Sequence, residues 1–274
     1  MTETSKNKLK RLLPTFVFIL FLIPIATSSL IDFEKDRKHE KLLEEIRLAE
    51  EWEQRVYLMG HFDQTEREDF VQIPPEYIMG PNKMYLRKET YDAYKDMRDA
   101  AMAVGINLKI ASATRNFDYQ AELWNNKWTG SRIVDGQDLS VSIPNGLERF
   151  NKILEYSAAP GISRHHWGTE IDINGADPAY FNTEKGIKEY AWLVDNAYLF
   201  GFCQTYNIKG IERPTGYNEE KWHWSYIPLA KDFTQEYKRL IKNENIKGFL
   251  GDEYASKLNL IENYVLSINT ECLI

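Results

Sequence analysis

Three of the chain's five histidines fall in two short polar segments. One reads Ser163-Arg164-His165-His166-Trp167-Gly168-Thr169-Glu170-Ile171-Asp172, the other Glu220-Lys221-Trp222-His223. Two imidazoles and a carboxylate suit a single zinc ion. A catalytic zinc takes three protein ligands and keeps a fourth position for water, whereas a structural zinc is closed by four ligands, commonly thiolates. With only Cys203 and Cys272 the chain has no thiolate cluster, so the pattern points to a metallohydrolase.

His165 and Asp172 are separated by Gly168, which permits a turn, so the His can sit on a loop and the Asp on a strand while both reach one point. His166 competes with its neighbour for the ligand role. In Trp222-His223-Trp224-Ser225-Tyr226 a period of two puts His223 and Ser225 on one face and the aromatics on the other. The aromatic face reads as core, and a His projecting from the opposite face is what a third ligand looks like.

A further carboxylate is needed to move a proton to or from water. Glu220 is the candidate general base. Simple strand alternation favours Glu219 instead, and only a turn before Trp222 brings Glu220 to the side of His223. The residues alone leave both open.

The remaining sequence supplies elements to hold these groups. Residues 33–58 read as a charged amphipathic helix, with Leu42, Ile46, Ala49 and Val56 at helical spacing. Further helices are expected over 89–104, 118–128, 147–156 and 184–200, the last closed by Gly201. Residues 108–112, 169–173, 202–206 and 223–227 read as strands, 130–145 as a loop, and the tail from Leu229 as helical. In the strand from Thr169 the polar side carries Glu170 and Asp172, the apolar side Ile171 and Ile173. The domain plan is 1–28 export signal or anchor, 29–84 charged helical linker and extension, 85–228 catalytic domain, and 229–274 helical extension packed on it.

At 43% hydrophobic and 13% aromatic residues, the 274-residue chain can bury an ordinary core. Lys6, Lys8, Lys10 and Arg11 precede an apolar run from Leu12 to Ile25, with small residues Ala26 and Ser28 after it. This reads as a cleaved export signal, or else as an uncleaved anchor that tethers the protein to a membrane. Localisation would then be periplasmic or elsewhere in the cell envelope, with inner-membrane anchoring in the second case. Of 34 Lys and Arg and 41 Asp and Glu, four basic and one acidic residue lie in 1–28, leaving 30 against 40, a charge of −10. So acidic a chain argues against nucleic acid as a partner, because phosphate contacts need clustered Lys and Arg. Cys203 and Cys272 could pair in an oxidising compartment, and two independent buried thiols are slightly favoured.

Taken together, these motifs resemble the zinc D-alanyl-D-alanine carboxypeptidases of the family that includes the vancomycin-resistance carboxypeptidases. The family pattern Ser-x-His-x-x-Gly-x-Ala-x-Asp followed by Glu-Pro-Trp-His meets Ser163, His165, Gly168, Asp172, Glu220, Trp222 and His223. Upstream, Ser112, Arg115 and Gln120 match its Ser-x-x-Arg-x-x-x-x-Gln segment. The resemblance covers about residues 85–228 and implies an α+β fold, a central antiparallel sheet flanked by helices, shared with the hedgehog signalling domain. It implies Zn2+ held by His165, Asp172 and His223, with His166 in the cleft wall or on substrate. Glu220 would be the base and Arg115 the group that meets the substrate's terminal carboxylate or the oxyanion, with Ser163 and Gln120 as substrate hydrogen-bond partners. The substrates implied are peptidoglycan stem peptides losing a terminal D-alanine. An L,D-carboxypeptidase acting on tetrapeptide stems and a non-catalytic cell-wall binding module are the alternatives. Two departures stand out, neither expected to touch a ligand: Glu170 replaces a small Ala and adds a charge that could alter substrate preference, and Lys221 replaces Pro.

Overall fold

The computed structural model describes residues 33–273. The expected export signal lies outside the described residues. The described residues divide into two units, the boundary falling between Glu53 and Gln54. Helix α1 covers residues 33–58. In the first unit it is an exposed helix laced by Arg47, which pairs with Glu44 and Glu51 one turn away on either side. Leu42 and Ile46 of its apolar stripe are exposed. Among the described residues no helix is long and apolar enough to cross a membrane.

In the second unit Tyr57, Leu58 and Met59 are buried. Strand β1 (Phe70–Gln72) then pairs antiparallel with β2 (Tyr85–Arg87), Val71 opposite Leu86. Nothing in the alternation of these three-residue strands announces them, and the boundary expected at residue 84 falls between the two. Helix α2 (Lys88–Ala103) buries Tyr94, Met97 and Ala101 at helical spacing. Strand β3 (Ile110–Ser112) leads to α3 (Phe117–Trp128), whose N-terminus is capped by the Asn116 side chain accepting from the Tyr119 N–H at 2.9 Å. A single helical turn, α4 (Leu139–Ser142), interrupts the loop expected over 130–145, because the Asp138 side chain caps it. Helix α5 (Gly146–Ile153) follows, capped by Asn145.

Strand β4 (Glu170–Ile173) precedes α6 (Glu184–Asn196), which tightens into a 3-10 turn, Ala197–Phe200, before Gly201 at φ +79. Strands β5 (Phe202–Gln204) and β6 (His223–Tyr226) complete the sheet, and α7 (Ile227–Leu240) begins with a proline in its first turn. The helical tail expected from Leu229 ends at Leu240. Beyond it come 3-10 turns and one π turn, Ile261–Val265. Gly248, Gly251 and Asn259 all sit at positive φ there and break any longer helix.

The central sheet is antiparallel throughout, in the order β3-β4-β6-β5. Glu170 lies opposite Ser225, Ile171 opposite Trp224, and Asp172 opposite His223. Residues directly opposed share a face. One face therefore carries Ile171, Ile173 and Trp224, packed with Tyr94, Met97 and Leu193 of α2 and α6. The other carries Glu170, Asp172, His223 and Ser225. Both faces are buried, so β4 has no solvent side. The architecture is α+β.

Cys203 and Cys272 form a disulfide, correcting the expectation of separate thiols. Asn269 draws the last turn beside β5, donating its N–H to Thr205 O at 2.9 Å and its side-chain amide to Gln204 O at 3.2 Å. That contact joins residues far apart in sequence and aligns the two sulfurs.

Candidate metal and catalytic site

His165 sits on a 3-10 turn, Arg164–Trp167, that ends at Gly168 with φ +75. A Cβ at Gly168 would stand 2.6 Å from the Phe70 ring and 2.8 Å from the Arg87 side chain, so only glycine lets the turn lie against β1 and β2. His165 Nδ1 is 2.8 Å from Ala113 O. A carbonyl only accepts, so Nδ1 carries the hydrogen and Nε2 keeps its lone pair. That Nε2 faces Asp172 Oδ1 at 3.4 Å, and His223 Nδ1 faces the same oxygen at 3.3 Å.

Ligand atoms of His165, Asp172 and His223 all lie within 4.8 Å of one another, and the three residues can hold a metal ion. Neither His165 Nε2 nor Asp172 Oδ1 has a hydrogen-bond partner among the described residues, although both are buried. Ligands about 2.0–2.2 Å from a tetrahedral zinc stand about 3.3–3.6 Å from each other, so the donor set and the distances of both imidazoles to Asp172 fit that ion. Burial, reinforced by the Arg115 charge, lowers the His165 pKa to about 4, which keeps its ring neutral near pH 7. Burial would raise Asp172, but His165 and His223 hold it well below the carboxylate range. Burial would lower His223, yet the carboxylates of Asp172, Glu170 and Glu220 around it raise it well above an ordinary imidazole.

Glu220 reaches the cluster through a turn. The His223 N–H donates to Glu220 O at 3.2 Å, and the Glu220 N–H donates to Tyr206 O at 2.9 Å. Glu220 Oε2 ends 3.4 Å from His223 Nδ1. Burial raises its pKa, with His223 pulling the other way. Glu219 points elsewhere, accepting from the Tyr190 hydroxyl at 3.5 Å. The turn forms with Lys221 in place of the family's proline.

Arg115 Nη2 is 3.9 Å from Asp172 Oδ2. Its side chain lines a cleft of about 280 Å³ together with Gln120, Lys127, Arg132, Glu220 and Trp222. Gln120 donates to Ala158 O at 2.7 Å, while its Oε1 has no partner among the described residues. Ser163 Oγ is likewise buried without one and lines a narrow recess with Tyr217, Glu220 and His223. His166 stays outside the cluster: its Nδ1 is 2.6 Å from Arg115 O, and its Nε2 accepts from the Gly161 N–H at 3.1 Å. Lys127 and Arg132 were not singled out in the sequence, whereas Tyr217 belongs to Thr215-Gly216-Tyr217, a segment that shares the family resemblance. Lys127 lies two helical turns after Gln120, a spacing that puts both on one face of α3. Arg132 stands on an irregular segment and carries no such signal. Burial, with Arg132 and Arg115 nearby, lowers the Lys127 pKa to about 8.

Glu170 is fully buried and belongs to the sheet face beneath the cluster, not to the cleft wall. The expectation that it touches no ligand is corrected, because its carboxylate meets the ring of His223. Its Oε1 accepts from Ser225 Oγ at 2.6 Å and Arg164 Nε at 3.2 Å, and its Oε2 faces His223 Nε2 at 2.9 Å. Burial pushes its pKa up, but Arg164 and His223 hold it below the ordinary range.

Residues 83–229, which include every group just described around the cluster, match the family model described as VanY, D-alanyl-D-alanine carboxypeptidase. The putative carboxypeptidase YodJ of Bacillus subtilis (strain 168) is 33% identical over 147 residues, 53% of this chain and 47% of its own length. The chain spans about half the length of the curated carboxypeptidases it matches. Among solved structures, the LD-carboxypeptidase LdcB is 29% identical, with 67% of this chain and 81% of that chain covered and a TM-score of 0.46. A variant of the vancomycin-resistance D,D-pentapeptidase VanY, in complex with Zn(II), is 26% identical, with 67% and 93% covered and a TM-score of 0.41. This chain belongs to the VanY D-alanyl-D-alanine carboxypeptidase family.

Proposed function

We propose that the protein is a zinc-dependent D-alanyl-D-alanine carboxypeptidase that removes the terminal D-alanine from peptidoglycan stem peptides outside the cytoplasmic membrane. The observation that carries this reading is the His165, Asp172 and His223 cluster facing Glu220 beside a cleft lined by Arg115. Those three residues would hold the ion through His165 Nε2, an Asp172 carboxylate oxygen and His223 Nδ1. Zinc bound there supplies a Lewis acid for the scissile carbonyl and lowers the pKa of water. Glu220 takes the proton of the attacking water and returns it to the leaving amine, a task suited to a carboxyl whose pKa burial has raised. Arg115 offers a planar fork to the substrate's terminal carboxylate or to the oxyanion. Ser163 Oγ and Gln120 Oε1, both without protein partners among the described residues, meet polar groups of the peptide.

Export is part of the proposal. It is supported by the basic stretch and apolar run of residues 1–28, cleaved or retained as a membrane tether, and by a disulfide suited to an oxidising compartment.

The test is metal analysis of the purified protein together with digestion of pentapeptide and tetrapeptide muropeptides. About one zinc per chain and release of D-alanine from the pentapeptide are expected. Release from the tetrapeptide alone would replace the reading by an L,D-carboxypeptidase. Bound zinc with no release from either would leave a non-catalytic wall-binding module.

A further inference from the structure

We infer that Glu170 is a positioning residue for the metal site: it fixes His223 from behind so that Nδ1 points at Asp172. The inference rests on the reading of His165, Asp172 and His223 as zinc ligands. The family pattern has a small Ala where this chain has Glu170, and Ala offers no side-chain acceptor for the far nitrogen of the His.

An imidazole has two nitrogens, and the hydrogen bond made by one settles what the other can do. His223 Nε2 is 2.9 Å from Glu170 Oε2, an atom that can only accept from it. Nε2 therefore keeps a hydrogen, and Nδ1, on giving up its own proton, is the nitrogen that meets a cation. The carboxylate is itself held rigidly. Oε1 accepts from Ser225 Oγ, Arg164 Nε and Thr169 Oγ1, the last at 3.3 Å, and Oε2 accepts from Thr205 Oγ1 at 3.3 Å as well as facing His223. Arg164 extends the anchorage to α7, donating from Nη1 to Thr234 Oγ1 at 2.9 Å.

With every approach to its oxygens taken by a donor and no exposure to the cleft, Glu170 has no capacity to act on substrate. Its remaining effect is on His223. A carboxylate on the outer nitrogen of a metal-ligating His orients the ring and raises its basicity, and loss of such a partner typically weakens metal binding about 10- to 100-fold.

The test uses the full chain stripped of metal and titrated with zinc against a chromophoric chelator, alongside the thermal midpoint of the metal-free protein. Glu170→Gln keeps the shape and one acceptor but loses the charge. A double variant, Glu170→Ala with Arg164→Met, removes the acceptor without stranding a buried guanidinium. Zinc affinity should fall several-fold in the first and about 10- to 100-fold in the second. A purely structural role would lower the metal-free midpoint while leaving zinc affinity unchanged. Wild-type affinity, within about twofold, in Glu170→Gln and in the double variant would overturn the inference; if the double variant fails to fold, Glu170→Gln decides. A wild-type protein that does not bind zinc would overturn the underlying reading as well.

Discussion

The backbone N–H of His223 donates to the carbonyl of Glu220 at 3.2 Å, and this bond closes the turn that sets one of two adjacent glutamates beside the metal cluster. Glu220 Oε2 thereby stands 3.4 Å from His223 Nδ1, while Glu219 faces Tyr190. Glu220→Gln should lower kcat by about 10²- to 10⁴-fold with zinc content retained, the usual cost of losing a general base. Glu219→Gln should stay within about threefold of wild type, since its carboxylate lies off the reaction path. D-alanine release from a pentapeptide substrate, paired with metal analysis, checks both. An inactive Glu219→Gln beside an active Glu220→Gln would reverse the assignment.

What could be read from the sequence follows from how local each cause is. The face shared by His223 and Ser225 was legible from period two, as was the face shared by Glu170 and Asp172, and β4 and β6 bring the two together. The choice between Glu219 and Glu220 was not legible, because the turn is held by Tyr206, a residue from a different segment. Glu170 read as a charge near the cleft because its neutralising partners, Arg164 and His223, come from other elements. Strands β1 and β2 are too short for any alternation to show. The disulfide depends on Asn269 docking on β5, a contact between residues more than sixty positions apart. The tail read as helical because its apolar spacing outweighed Gly248 and Gly251, whose positive φ values decide the matter.

Lys127 gives the cleft a pH dependence of its own. Its pKa is lowered to about 8, so it is charged below that pH and neutral above it. It lines the same cleft as Arg115 and Arg132, and with them attracts an anionic substrate. KM for a substrate with a free terminal carboxylate should therefore rise as pH climbs from about 7 to 9, and Lys127→Met should raise KM at pH 7 and flatten that limb. Initial rates across the range, at fixed ionic strength, measure it. A Lys127→Met profile identical to wild type would remove Lys127 from substrate attraction.

The Cys203–Cys272 bond spans a sequence separation of 69. Closing a loop of that length restricts the unfolded chain by about 4 kcal/mol in the chain-entropy model. Replacing both cysteines by alanine should lower unfolding stability by about 2–5 kcal/mol. Denaturant titration of wild type under reducing conditions should give the same loss, whereas the double variant should be indifferent to reductant. Equal stability of the oxidised wild type and the double variant would mean that the docking of Asn269 already supplies the constraint.

Gly60 and His166 form a support for Arg115 that no spacing in the sequence connects. Gly60 has φ +82, and a Cβ there would lie 2.4 Å from His166 Nδ1. The ring holds the Arg115 carbonyl on one nitrogen and the Gly161 N–H on the other. Gly60→Ala combines a backbone strain of about 1–2 kcal/mol with disturbance of two buried hydrogen bonds worth about 1–3 kcal/mol each when left unmade. It should cost several kcal/mol of stability and lower kcat/KM, because Arg115 moves with its backbone. Burial also lowers the His166 pKa from 6.5 to about 3. The folded state thus binds that proton more weakly than the unfolded chain, so the contribution is fully present above pH 6.5 and is lost as pH falls towards 3. Thermal midpoints should decline through that window, and His166→Asn, less stable at neutral pH, should lose part of the decline. An unchanged slope in His166→Asn would assign the acid sensitivity to other groups.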